Sequence, residues 1–576
     1  MNSLSQTQTF QPQAEINASP FLCVRLLRAF AAFAESRGWW FFSAISIACG
    51  WVRLHTLATR FLGHDELFTF YIAGAPNIRQ LITLTRTIDL HPPLSYLLVR
   101  MSFAIFGAHA WSCRLPFLVA FVIAAAALFW FVRRLLSSVH ALVAVLFLWS
   151  HPFTYLADEA RPYSMVLCFT VLMLVSWHWA IENLTRRRWA LVTLTASGFG
   201  LLLSHVFGLL SYGALLGAEL IRLQIRRKTD WRLWSALLAP AFCVLTYVPL
   251  IHTHSGLLFA REYRVTPMRI FSFYWESIRY VATPLAAIGL LALLWPILRK
   301  ATSAAPRPSS AAITVPFGFL LASVSVIPLA IGVVLARTGT AFFDRYGVVW
   351  VIPFALVPAF VLGYRTDRNQ LAGTCIALLL GVVFFFNTTG RPWLLTQVST
   401  VAPPKVAERL LYAVAMFPIY PPFNYPQPPP YLGASLATAS RVGHLETFEP
   451  ELPLVAHTGL TFLELDRREP FEVIQRLYLL TDEGAAASIA HDTVFEHYEQ
   501  VKKAFPIRGK IEPYCAFVST HHRFLVVGTY THPQGWLLRK LERDGAMLRA
   551  VGTCTETTEG CQIYEARLAN SPCAQP

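Results

Sequence analysis

Charged residues are scarce in this chain: Asp, Glu, Lys and Arg make up 14% of its 576 residues. With 55% hydrophobic residues and a mean hydropathy of +0.47, that scarcity excludes a row of soluble domains and indicates a polytopic membrane protein. No Gly-rich phosphate loop is present, so no nucleotide cofactor is expected. No CxxC or HxxxH spacing marks a zinc site. The N-terminal 20 residues are polar and Gln-rich and lack an apolar run ending at a small-residue cleavage site, so the first span is expected to act as an uncleaved insertion signal. Despite a net charge of +15, nucleic acid is discounted as a partner, because the excess Arg lies in short clusters between apolar runs, where it encodes topology.

Apolar stretches of membrane length run over about 39–59, 113–132, 139–156, 163–181, 189–204, 206–221, 232–251, 283–298, 313–336, 346–363 and 371–388, which predicts about eleven crossings. The apolar segment between Pro92 and Gly107 would invert everything downstream if it crossed. If it lies at the interface instead, Arg133 and Arg134, Arg186 to Arg188, Arg222 to Lys228, Arg299 and Lys300, and Arg365 and Arg368 fall on the same side as Arg25, Arg28 and Arg37. By the positive-inside rule that side is the cytoplasm, and residues 92–107 form a surface-lying helix. The loops at 60–112, 157–162, 252–282 and 337–345 then face outward, although they too carry Arg261, Arg264, Arg269 and Arg279.

The expected organisation is a cytoplasmic segment 1–38, a transmembrane catalytic domain 39–388, a Pro-rich linker 389–435 and an exported α/β domain 436–576. In the last of these, RLYLLTD (476–482) reads as a buried strand, 485–505 as mainly helical, and 523–552 as strand, helix, strand. Cys113, Cys168, Cys243 and Cys375 read as inert apolar thiols, whereas Cys515, Cys554, Cys561 and Cys573 are expected to pair, with three connectivities open.

Chemistry is expected in the outward loops, because ionisable groups beside a bilayer are expensive and usually functional. GHDELF carries Asp65 and Glu66 as candidate catalytic carboxylates, with Asp65 placed to act as a base. In IDLHPPLSY, Asp89 and His91 alternate in a stretch read as extended and with Asp65 could hold a divalent ion, and His205 of SHVFGLL is a further candidate metal ligand; a histidine bonded to a helix start explains His91 equally well. LADEARPYS supplies Asp158, Glu159, Arg161 and Tyr163, and FFDRYG supplies Arg345 and Tyr346 beside Asp344, as candidate contacts to a substrate phosphate. The plainer readings are an interfacial turn anchored by Tyr163 and a local salt bridge at Asp344–Arg345.

The order of a DE pair after the first span, HPPLSYLL, RLP, EARPYS and SHVFGLL resembles the GT-C superfamily of membrane glycosyltransferases, in the branch of the protein O-mannosyltransferases and the lipid A aminoarabinose transferases, over about residues 39–390. The resemblance implies a GT-C-like α-helical polytopic fold with interfacial helices in the first outer loop. It implies inverting transfer of a sugar from a polyprenyl-phosphate donor to a lipid, polysaccharide or protein acceptor at the periplasmic face of a bacterial inner membrane. In that family the first-loop acid, here Asp65, is catalytic, and groups at the positions of Asp89, His91 and His205 bind a divalent metal ion in the aminoarabinose branch. That branch has Glu-Lys where this chain has Leu90-His91. The competing class is a transporter or flippase of lipid-linked sugars; against it, the ionisable residues gather in outward loops and no repeated pair of broken helices is visible.

Overall fold

The computed structural model describes residues 22–182, 185–247, 258–260, 263–279, 281–301, 314–386, 444–530, 532–554, 561–569 and 573. The expected linker 389–435 lies outside them. Each of the eleven apolar stretches coincides with a helix or a pair of helices. Among the described residues, four helices are long and apolar enough to cross a membrane, Ala110–Leu135, Tyr163–Glu182, Val315–Thr338 and Asp344–Arg365, or up to six if each bent pair counts as one span. The chain is a multi-pass membrane protein. The helix Leu94–Phe106 is apolar but has only 13 residues, about 20 Å at 1.5 Å per residue and too short to cross upright.

The stretch 139–156 is not a straight crossing. The helix Ser138–Ser150 ends at His151, and a 3-10 turn over Pro152–Asp158 leaves it at 79°, as expected where a proline removes a helical donor. The bend carries Asp158 out of the helix and into the EARPYS loop. At its other end Ser138–Ser150 is capped from a distance: Ser138 N and Val139 N donate to the Glu35 carboxylate at 3.0 and 3.1 Å, an anion on the positive end of a helix.

The C-terminal region is an open α/β domain. Its strands are β1 (Leu454–Ala456), β2 (Leu477–Thr481), β3 (Lys510–Pro513), β4 (Arg523–Gly528), β5 (Met547–Cys554) and β6 (Cys561–Arg567), in the spatial order β3-β2-β1-β4-β6-β5. The first four are parallel, and β6 and β5 add an antiparallel edge. The strands expected at 476–482 and 523–531 are present as β2 and β4, and the helix and strand after them as Leu537–Arg543 and β5. The segment 485–505 is mainly helical, as expected, but it is broken in the middle. His491 at φ +52 stops the first helical turns, and the Asp492 carboxylate accepts Val494 N at 3.0 Å, a local bond that competes with the helical ladder. Helix resumes only at Tyr498–Ala504.

Cys515 and Cys573 form a disulfide, and the hairpin register sets Cys554 opposite Cys561. The Cys515–Cys573 bridge closes a separation of 58 residues, so Cys515→Ser should cost the domain about 2–4 kcal/mol. Hydrogen exchange should accelerate in β4 and β6 and stay unchanged in the membrane helices.

Candidate active site

The helix His64–Ala73 starts the site. Gly63 N donates to Glu66 Oε2 at 3.0 Å, closing the helix N-terminus on its own third residue. The same carboxylate takes Arg114 Nε at 2.7 Å and Nη2 at 2.6 Å, Arg60 Nη2 at 3.4 Å and Ala160 N at 2.9 Å. Arg114 also donates to the Arg60 and Phe61 carbonyls at 2.7 and 2.6 Å. Burial alone would raise the Glu66 carboxyl, but Arg114 and Arg60 more than offset it and hold it at about 2. Thr69 Oγ1 donates to the Ala160 carbonyl at 2.7 Å, so the DE helix and the EARPYS loop are bonded along two turns.

Around this joint, acids and arginines from distant segments pair. Arg53 meets Asp158 at 3.0 Å inside the first apolar helix, Arg161 grips Asp89 through Nη1 at 2.6 Å and Nη2 at 3.2 Å, and Arg345 meets Asp65 at 2.7 Å. The ring of Tyr163 lies 5.8 Å from the Arg345 guanidinium, and Tyr346 stands 6.2 Å from Tyr163 and 6.0 Å from His205, centroid to centroid. Residues 60–66, 89–91, 158–163, 205 and 345–346 therefore share one cluster, as their sequence neighbourhoods suggested.

Electrostatics separates the carboxylates. Burial would raise Asp65 and Asp89, but Arg345 and Arg161 beside the first and Arg161 beside the second dominate, and both sit well below the usual carboxylate range. Glu159 is the reverse. Burial pushes it up to about 7, only partly countered by Arg345 and reinforced by Glu66 and Asp65. It has no ion pair among the described residues, and its Oε2 is buried without a hydrogen-bond partner. The Nε groups of Arg161 and Arg345 are likewise buried donors with no acceptor. Unmet donors of this kind on two guanidiniums suit a polyanion with several oxygens.

The expected metal set does not fit. Leu90 has φ +56, and His91 N bonds the Thr85 carbonyl at 3.2 Å. The stretch 89–91 is thus a left-handed helix exit and not an extended run. Asp89 is occupied by Arg161 and by Tyr96 Oη at 2.6 Å, His91 Nδ1 faces the Asp89 carbonyl at 2.5 Å, and His205 Nδ1 accepts Phe207 N at 3.1 Å. The two imidazoles lie 5.0 Å apart, centroid to centroid. A cation there would have to displace a buried guanidinium from Asp89, and among the described residues no group of three or more His, Cys, Asp or Glu is arranged to hold a metal ion. Burial, with His91 and two arginines near, drives His205 well below its ordinary value, so its ring is neutral.

Sequence reasoning passed over Arg53, Arg60, Arg114 and Tyr96. Arg53 and Arg114 carried a signal, since each is a lone cation within or at the edge of an apolar run. Tyr96 carried none.

Residues 90–252 match the family model described as dolichyl-phosphate-mannose-protein mannosyltransferase. The GT-C resemblance read from HPPLSYLL, EARPYS and SHVFGLL stands on the same residues. Among solved structures the chain is similar to ArnT from Cupriavidus metallidurans bound to undecaprenyl phosphate, with 15% identity, a TM-score of 0.48, and coverage of 91% of this chain and 97% of that one. It is more distantly similar to an oligosaccharyltransferase from Archaeoglobus fulgidus, with 13% identity, a TM-score of 0.31, and coverage of 68% and 56%. No curated protein sequence matches the chain.

Two substitutions probe the cluster. Glu66→Ala takes from the buried Arg114 guanidinium the carboxylate it grips and should cost about 3–5 kcal/mol, read as lost thermal stability in detergent. Glu159 is raised from 4.5 to about 7, so the stability its neutral form contributes is complete below 4.5 and lost as pH rises through about 7. Glu159→Gln should therefore raise the melting temperature above that of the parent near about pH 8 and leave it unchanged near about pH 3.5.

Proposed function

We propose that this chain transfers a sugar from a polyprenyl-phosphate-linked donor to an acceptor hydroxyl or amine at the non-cytoplasmic face of a bacterial inner membrane, with inversion at the anomeric carbon. The observation that carries the reading is the cluster itself: Asp65 paired with Arg345, beside Arg161, with buried guanidinium donors unmet on both arginines. The family match over 90–252 supports glycosyl transfer as the reaction class. The arginine clusters between the apolar runs and the Cys515–Cys573 disulfide support an exported site.

In this mechanism the acceptor oxygen or nitrogen attacks the anomeric carbon as the carbon–oxygen bond to the lipid phosphate breaks. The phosphate leaves with the bonding electrons and the acceptor proton passes to Asp65. Arg345 and Arg161 stabilise the departing charge, so no general acid is needed. With Arg345 on one of its oxygens, Asp65 is a weak base. A donor phosphate that draws Arg345 away raises the basicity of Asp65 at the moment the base is required. Glu66, with five donors on two oxygens, holds the loop in place. Asp89 orients Arg161 from its far side, and Tyr163, Tyr346 and neutral His205 line the sugar side, where tyrosine hydroxyls and an imidazole suit sugar oxygens. Glu159 accepts a hydrogen bond from the acceptor or the sugar.

The test uses full-length protein in lipid with the polyprenyl-phosphate sugar fraction extracted from cells lacking this chain. Asp65→Asn should cut transfer by about 10²–10⁴-fold while binding of undecaprenyl phosphate, measured as a thermal shift, persists. Full turnover by that variant overturns the assignment. Movement of the lipid-linked sugar across a vesicle membrane without bond formation would make the chain a carrier.

A further inference from the structure

The exported domain is joined to the membrane domain at the residue before Asp65. His64 Nδ1 lies 3.3 Å from Asp65 Oδ1, and His64 Nε2 is hydrogen-bonded to the Tyr498 hydroxyl. His64 N donates to Glu464 Oε1 at 3.2 Å. With the Nδ1 hydrogen directed at the carboxylate, the Nε2 lone pair accepts the tyrosine O–H, so a single tautomer satisfies both bonds. Tyr498 is protonated for this role: burial, with Asp65 and Glu464 near, holds its hydroxyl well above the ordinary value. Asp65 is thus held from two sides, by Arg345 on Oδ2 and by His64 on Oδ1.

The contact is built, not incidental. Phe505 packs on Phe68 and Tyr71 at 5.3 and 5.0 Å between ring centroids, and the Arg468 guanidinium lies 3.6 Å over the Phe61 ring. A second seam joins the two domains where Ala260 N donates to Asp492 Oδ2 at 3.0 Å and Leu258 N to Thr493 Oγ1 at 3.1 Å. A Cβ on Gly459 would meet Phe495 and Tyr498 within 2.9 Å, so a glycine is required where the helix Gly459–Arg468 passes beneath the tyrosine. The segments involved follow β1 and β2, at the carboxyl ends of parallel strands. In an open sheet whose order changes direction between β1 and β4, that edge is the usual ligand-binding side. Here it is turned onto the catalytic loop.

We infer that Tyr498 of the exported domain is a positioning residue for the reaction: through His64 it fixes the orientation of the Asp65 carboxylate, so the membrane domain is catalytically incomplete without the domain that follows it. The inference rests on the assignment of Asp65 as the proton acceptor. Tyr498 touches no substrate atom. Its removal leaves the donor's binding groups, Arg161 and Arg345, in place and lets the His64 ring and the carboxylate it holds rotate away from the attack line.

The experiment compares Tyr498→Phe, His64→Ala, the double variant and Phe505→Leu in the full chain in lipid, using the same extracted polyprenyl-phosphate sugar fraction. Tyr498→Phe should lower kcat by about 10-fold to 10²-fold with the donor KM within about twofold, and should cost nothing further in the His64→Ala background. Phe505→Leu loosens the same interface without touching His64, and any loss it causes should add to that of His64→Ala. Wild-type kcat in Tyr498→Phe, or a loss from Tyr498→Phe that is undiminished in the His64→Ala background, overturns the inference. If Tyr498→Phe fails to accumulate in the membrane, His64→Ala alone decides: a donor KM raised in step with a lost kcat, or no loss of kcat, sinks the positioning role. Asp65→Asn run in parallel separates the two levels. Its inactivity beside a fully active Tyr498→Phe removes only the positioning role, whereas its activity removes the proton-acceptor reading and this inference together.

Discussion

The Glu66–Arg114 ion pair is the joint on which the outer face of this protein depends. Both partners are taken out of water, which is expensive, and the cost is offset only because the carboxylate receives five donors and the guanidinium adds two backbone carbonyls. Those bonds reach residues 60–63, the helix His64–Ala73, the start of the helix Ala110–Leu135 and the EARPYS loop. Successive residues of a helix point about 100° apart. Glu66 fixed inward therefore turns Asp65 away from the joint, toward Arg345 and the exported domain. One neighbour is spent on architecture so that the other can be aimed.

The remaining ionisable groups divide along the same line. Asp158 with Arg53, and Asp89 with Arg161 and Tyr96, are closed pairs that set the backbone of loops otherwise free to splay. Glu159, with no ion pair among the described residues, and the Nε donors of Arg161 and Arg345, with no acceptor among them, are left open between these pairs. Folded proteins satisfy buried polar groups almost everywhere, and the unmet groups beside the Asp65–Arg345 pair are what the proposal of a bound phosphate rests on. The acid with the highest proton affinity and the acid aimed at Arg345 are different residues, which separates holding a substrate from accepting its proton.

Much of this was legible in the sequence, for a physical reason: a run of apolar residues has one stable fate in lipid, and an ionisable residue beside it is costly enough to mean something. The helices and the loops that meet were found on those grounds. What each acid does was not. Asp65 and Glu66 are adjacent and chemically alike, and only the side from which Arg114 approaches tells them apart. Asp89, His91 and His205 do lie together, but Asp89 is taken by Arg161 and Tyr96, and Leu90 adopts a left-handed turn that the surrounding HPPL gave no reason to expect. Strand β1 has three residues, too few for a period to appear. Tyr498 stands 434 residues from His64, and no local pattern encodes a partner at that distance.

The arrangement also explains why an α/β domain follows so many membrane helices. On the proposed function, a donor with a polyprenyl tail reaches the cluster from the lipid, where the arginines that suit its phosphate are anchored on membrane helices and the turns beside them. On its other side Asp65 adjoins His64, which is bonded to Tyr498 and Glu464, so the surroundings of this carboxylate belong in part to the C-terminal domain. In the proposed mechanism, donor and acceptor are therefore met by different parts of the chain at one carboxylate. On that reading, changes in the C-terminal domain alter which acceptor is admitted while the Glu66 carboxylate keeps Gly63, Arg114 and Ala160, all of them on the membrane-domain side of the seam.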